Sequence, residues 1–146
     1  MTHRTALLTL ALAIAPFAQA QTALQSSHIE ANVPDASAFE PILKRDLLAY
    51  FATGFAVAPD RVEVKLLREA PTQSGVSYPK YYAWVRVFAG QSLLQQGAIR
   101  LAAIEKLRFE VTDFVSRGQI QANGGGLESV FPAALIPGIL QLAVAP

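Results

Sequence analysis

An α+β domain is the fold this sequence predicts: one N-terminal helix packed on a curved antiparallel four-stranded sheet, followed by an apolar helical segment. Three observations predict it. Between Tyr78 and Val115, three apolar runs follow one another with only short breaks. From Phe39 to Phe51 the apolar residues recur at helical spacing, and from Val130 to Pro146 there is no charged residue.

The central strands are the clearest elements. Tyr81-Tyr82-Ala83-Trp84-Val85-Arg86-Val87-Phe88 is dense in the aromatic and β-branched residues that suit a pleated, half-buried surface. Ala89-Gly90 turns it into a second run, Leu93 to Ile104. Glu105-Lys106 then forms a pair short enough for a hairpin before the third run, Leu107 to Val115. Alternation sends Tyr82, Trp84 and Phe88 to one side of the sheet and Tyr81, Val85 and Val87 to the other. Both faces therefore need cover, one from the preceding helix and one from the C-terminal segment.

That helix starts near Ser37. Phe39, Leu43, Leu47 and Tyr50 form its stripe, Ile42 and Phe51 widen it, and Lys44, Arg45 and Asp46 fall on the solvent side. Ser37 and Glu40 have capping-box spacing, Pro41 is expected in the first turn, and Gly54 marks the end. After the Ala58-Pro59-Asp60 turn, Val62, Val64 and Leu66 alternate with Glu63, Lys65 and Leu67, which predicts the first strand. A connection rich in turn formers, 70–80, leads from it into the meander.

Beyond Val115, Gln119 to Ala122 reads as a short extended run and Asn123-Gly124-Gly125-Gly126 as a turn. Ser129, Pro132 and Pro137 then predict two short helical turns packed on the sheet.

The chain has 146 residues, of which 52% are hydrophobic and 16% charged, enough for one packed core. Residues 1–20 read as a secretory signal peptide: His3 and Arg4 precede an apolar run, and Ala18-Gln19-Ala20 offers a cleavage site before Gln21. Pro16 and the shortness of the run argue against a membrane anchor. Residues 21–36 read as a polar leader and 37–146 as a single domain that includes the C-terminal segment 127–146. The expected address is periplasmic or secreted.

Loss of Arg4 with that peptide leaves basic and acidic residues in balance, which gives nucleic acid or anionic lipid no electrostatic reason to bind. Cysteine is absent, so disulfides, thiol catalysis, thiolate metal sites and an acylated N-terminal cysteine are excluded. His28 is the one histidine beyond the signal peptide, too few for an imidazole metal site, and there is no G-x-S-x-G elbow. No metal and no cofactor is expected.

Carboxylates remain. Regular alternation along the third meander strand groups Asp113 with Leu107, Phe109 and Val111, pointing inward, with Arg86 and Arg100 on neighbouring strands as ion-pair partners. The candidate binding residues are Tyr78 and Lys80 in the long connection, Tyr82 and Phe88 on the first meander strand, and Gly90 in its hairpin.

One helix followed by a four-stranded antiparallel sheet resembles the cystatin fold and the related nuclear-transport-factor-like cone, over roughly 37–115. Arg86-Val87-Phe88-Ala89-Gly90 occupies the hairpin where cystatins carry Q-x-V-x-G. Gly90 matches, while Arg86 and Phe88 replace the glutamine and valine, and Glu105-Lys106 stands where cystatins have a Pro-Trp hairpin. The resemblance to cystatins implies protease inhibition through that hairpin. The resemblance to the cone-shaped enzymes implies an acid or base deep in the cone, the role Asp113 would take. From the residues themselves the expectation is a non-catalytic module that binds an envelope protein or a small apolar ligand.

Overall fold

Two helices precede the sheet. The computed structural model describes residues 15–146, with side chains at Ala20 and from Thr22 onward; the first fourteen residues of the expected signal peptide lie outside the described residues. Helix α1, Ala15–Asn32, runs through Ala20 and Gln21 and replaces the loose leader expected at 21–36. The leader was unreadable as a helix because most of it is exposed and carries no apolar stripe along its length.

The end of α1 is fixed by hydrogen bonds, with Val33 just beyond it packed against the core. Among the described residues Asn32 is the one buried polar side chain: its Nδ2 donates to His28 O at 2.9 Å, and its Oδ1 accepts from Glu105 N at 3.0 Å. Its carbonyl accepts from Lys106 N at 2.8 Å. Glu105 and Lys106 both have positive φ, 52° and 60°, the primed turn that matches the twist of a two-residue hairpin. One amide thus ties the first helix to a turn more than seventy residues later.

Helix α2, Ala36–Phe51, buries Leu43, Leu47 and Phe51. Asp35 is its N-cap, with its carbonyl accepting from Ala38 N and Phe39 N at 2.9 Å, so the Ser37–Glu40 capping box does not form. The Asp35 carboxylate reaches Lys106 Nζ instead, at 3.1 Å, and Glu40 pairs with Lys44 one turn on. Pro41 is the sixth residue of the helix, inside it rather than in its first turn, and faces solvent. The helix ends at Phe51, three residues before Gly54.

The sheet is a four-stranded antiparallel meander in the order β1-β2-β3-β4: Arg61–Leu66, Lys80–Ala89, Ser92–Ile104 and Arg108–Ser116. Its inner face carries Tyr81, Val85, Val87, Ile99, Leu101 and Phe109 against α2. Two interruptions shape it. One falls between Val87 and Phe88, opposite an extra residue in β3; the other lies opposite Arg100 and Leu101, which pair with Asp113 and Val111 and leave Thr112 as the additional residue in β4. Gly97 sits under Phe114 on the inner face, where a Cβ would strike the carbonyl of Val115 and approach Ser116 Cα to 2.8 Å. No other residue fits that close approach of two strands.

The C-terminal segment covers the other face. Tyr82, Trp84, Ala98 and Val115 pack with Ile120, Leu127, Phe131, Ile139 and Ala143. Residues 117–123 form helix α3, not an extended run, because Ser116 and Gln119 make a reciprocal capping box. Gly124, Gly125 and Gly126 then turn the chain with positive φ. Short 3₁₀ turns at Gly124–Ser129 and Ala133–Leu135 lead to helix α4, Ile136–Val144, with Pro137 in its first turn. Arg117 Nε and Gln121 Nε2 both donate to Ala143 O, at 2.8 and 2.7 Å, holding the end of α4 against α3. Among the described residues no helix is long and apolar enough to cross a membrane.

Candidate functional site

Asp113 does not point inward. The extra residue at Thr112 reverses the alternation between Val111 and Asp113, so Phe109, Val111 and Phe114 pack toward α2 while Asp113 stands on the outer face. There it meets Arg100, whose Nη2 and Nε lie 2.5 and 2.7 Å from Asp113 Oδ2. Arg100 also donates from Nε to Thr112 Oγ1 at 3.0 Å and from Nη1 to Val130 O at 3.3 Å. The part-buried pair therefore fastens the C-terminal segment to the sheet. Arg86 is not a partner of Asp113; from the interior strand β2 it pairs with Glu63 of β1 at 3.2 Å.

Lys80 belongs to the same neighbourhood. Burial is the main cause that lowers its pKa, Arg100 adds to the effect, and Glu110 and Asp113 oppose it. Tyr82 lies beneath, with its hydroxyl 2.9 Å from Thr72 Oγ1 and its ring against Phe131. Replacing Asp113 with Asn should lower stability by about 1 to 3 kcal/mol, because a part-buried guanidinium loses its charged partner. Thermal melts of the two proteins measure this, and equal melting would mean that solvent already carries the pair.

The remaining candidates lie apart. Phe88 is buried with the guanidinium groups of Arg61 and Arg86 over its ring, 3.9 and 5.1 Å from the centroid. Gly90, with φ 55°, donates its N–H to Asp60 Oδ2 at 2.8 Å. These two sit at the β2–β3 hairpin, whereas Tyr78 and Lys80 lie at the other end of β2. The five residues therefore form no single site.

Tyr78 leads to a surface of a different kind. Its ring stacks on His28 of α1, with centroids 6.5 Å apart and planes inclined by 18°. Beside this pair a groove of about 680 Å³ opens between α1 and the connection to β2, lined by Leu24, Gln25, Ser27, His28, Ala31, Gly75 and Val76. Its apolar residues are displayed to solvent, Val76 95% and Leu24 70% exposed, and the neighbouring Tyr78 is 40% exposed.

The far wall is an ordered loop. Its base is closed by paired backbone bonds between Thr72 and Lys80, at 2.8 and 2.9 Å. Gln73 Nε2 donates to Gly75 O at 3.1 Å and to Ser77 O at 2.5 Å, and Ser77 Oγ donates to Ser74 O at 2.5 Å. Two polar atoms here, His28 Nε2 and Gln73 Oε1, are buried without a hydrogen-bond partner. Sequence reasoning found the loop and missed the helix. Leu24, His28 and Ala31 do share one face of the helix, but two of the three are exposed and one is a histidine, so they form no apolar stripe.

Chemically, the groove offers the apolar side chains of Leu24 and Val76 beside a histidine–tyrosine stack, which suits capture of an apolar group. Among the described residues no group of three or more histidine, aspartate or glutamate side chains is placed to hold a metal ion. No family model matches this chain, and neither does any curated protein or solved structure.

Proposed function

We propose that the protein is an exported, non-catalytic binding module that holds a small apolar ligand, or an apolar segment of an envelope protein, in the groove between α1 and residues 72–80. The observation that carries this reading is the joint display of Leu24 and Val76 in one open groove, beside the exposed Tyr78 that stacks on His28. Large apolar side chains exposed together, rather than scattered, mark binding surfaces. Cleavage before Gln21 would leave Leu24 to Asn32 in place, so the groove would survive export.

Titration with Nile red, a neutral dye whose emission rises on leaving water, tests the groove. The chain beginning at Gln21 should bind it, and Leu24→Glu or Val76→Glu should weaken binding at least about tenfold, since a carboxylate resists burial against an apolar ligand. Binding unchanged in both variants would remove the groove from the account.

A further inference from the structure

We infer that β1 is the seat of a symmetric dimer, in which the β1 strands of two copies of this chain pair antiparallel across a two-fold axis at Val64. The sheet has two edges, and they differ. At β4, Phe109 N donates to Asp46 Oδ2 at 2.7 Å, Leu107 O accepts from Arg45 Nη2 at 2.9 Å, and the extra residue at Thr112 breaks the line. At β1 the strand is regular, and among the described residues it pairs with β2 alone.

The backbone direction follows from one bond. Leu67 N donates to Tyr82 O at 2.8 Å, so Leu67, Lys65, Glu63 and Arg61 turn their amides toward β2. Val62, Val64 and Leu66 therefore turn theirs to the open edge. A second strand must pair at these three positions.

Charge then selects the register. With Val64 opposite Val64 of the second copy, Val62 faces Leu66 and Glu63 faces Lys65, each twice. Sliding the pairing by two residues in either direction sets Glu63 against Glu63, or Lys65 against Lys65. Opposite charges across a strand pair stabilise it and like charges destabilise it. Lys65 is suited to the role because no ion pair holds it among the described residues, whereas Glu63 already lies beside Arg61 and Arg86.

The surroundings of β1 are open on both faces. On the inner face a groove of about 490 Å³ runs between β1 and α2, with Phe39, Leu43, Val62, Val64 and Leu66 as its apolar lining and Glu40, Lys44, Arg61 and Glu63 also bordering it. In the dimer this groove continues across the axis. On the outer face a space of about 270 Å³ lies beside Lys65, Trp84 and Arg86. A bare strand edge with space on both sides is a template for strand addition.

The test is sedimentation equilibrium of the full domain over a range of concentrations, with variants that keep the fold intact by melting. The parent should reach twice the chain mass. Lys65→Glu and Glu63→Lys, each alone, should weaken self-association at least about tenfold, since both pairs turn from attraction to repulsion. An equimolar mixture of the two variants should regain the dimer, because Lys at 63 then faces Glu at 65 in the other chain. A parent that stays monomeric overturns the proposal. So does a dimer indifferent to Lys65→Glu, or a mixture that stays monomeric.

Discussion

Removal of residues 127–146 should leave a chain that cannot hold its fold. Leu127, Phe131 and Ile139 are buried against Tyr82, Trp84, Ala98 and Val115, and the truncation uncovers all of them. Full burial of one such side chain contributes about 1.5 to 3 kcal/mol, so three account for roughly 5 to 9 kcal/mol. Domains of this size are stable by only about 5 to 15 kcal/mol in total. The same cut frees Arg100 from Val130 O and the 117–123 helix from the end of α4. Circular dichroism and a denaturant titration of the truncated chain measure the effect. Cooperative unfolding at an unchanged midpoint would show that the outer face of the sheet needs no cover.

Leu47→Ala should be the most damaging single change to the inner face, lowering stability by about 2 to 5 kcal/mol. Leu47 is fully buried, in the middle of α2, and belongs to the cluster that includes Val85, Ile99, Leu101 and Phe109. The neighbours that could relax into the gap are held on three paired strands, so little of the cavity should close. Urea unfolding of the variant gives the number, and a loss below about 1 kcal/mol would contradict tight packing of α2 on the sheet.

The elements most legible in the sequence were those whose partners lie nearby. Tyr81 to Val87 reads as a nearly unbroken apolar run because both faces of β2 are buried by different elements, and Glu105-Lys106 marks the β3–β4 hairpin through the length of the break alone. Helix α2 was legible from Leu43, Leu47 and Phe51, which repeat every four residues. What escaped depends on contacts between distant parts of the chain. Helix α1 is docked through Asn32 and the backbone of Glu105 and Lys106, an arrangement that leaves no apolar stripe to read.

Asp113 was misplaced for the opposite reason, a local one. A single additional residue at Thr112 reverses the face of everything after it, and period-two counting has no means of seeing it. The pairing of Asp113 with Arg100 was still within reach of the sequence, because the two strands are neighbours in a meander. The groove was half legible: the turn-rich loop stood out, while Leu24 and His28 acquire meaning only when Val76 and Tyr78 are brought beside them.

The central claim is that α1 and the loop before β2 together form the binding surface. Amide hydrogen exchange of the chain beginning at Gln21, with and without a medium-chain alkyl alcohol, tests it most directly. Slower exchange confined to Leu24–Ala31 and Gly75–Tyr78 on adding the alcohol is the result the account predicts. Slowing at the β2–β3 hairpin around Phe88 and Gly90, or none anywhere, would contradict it.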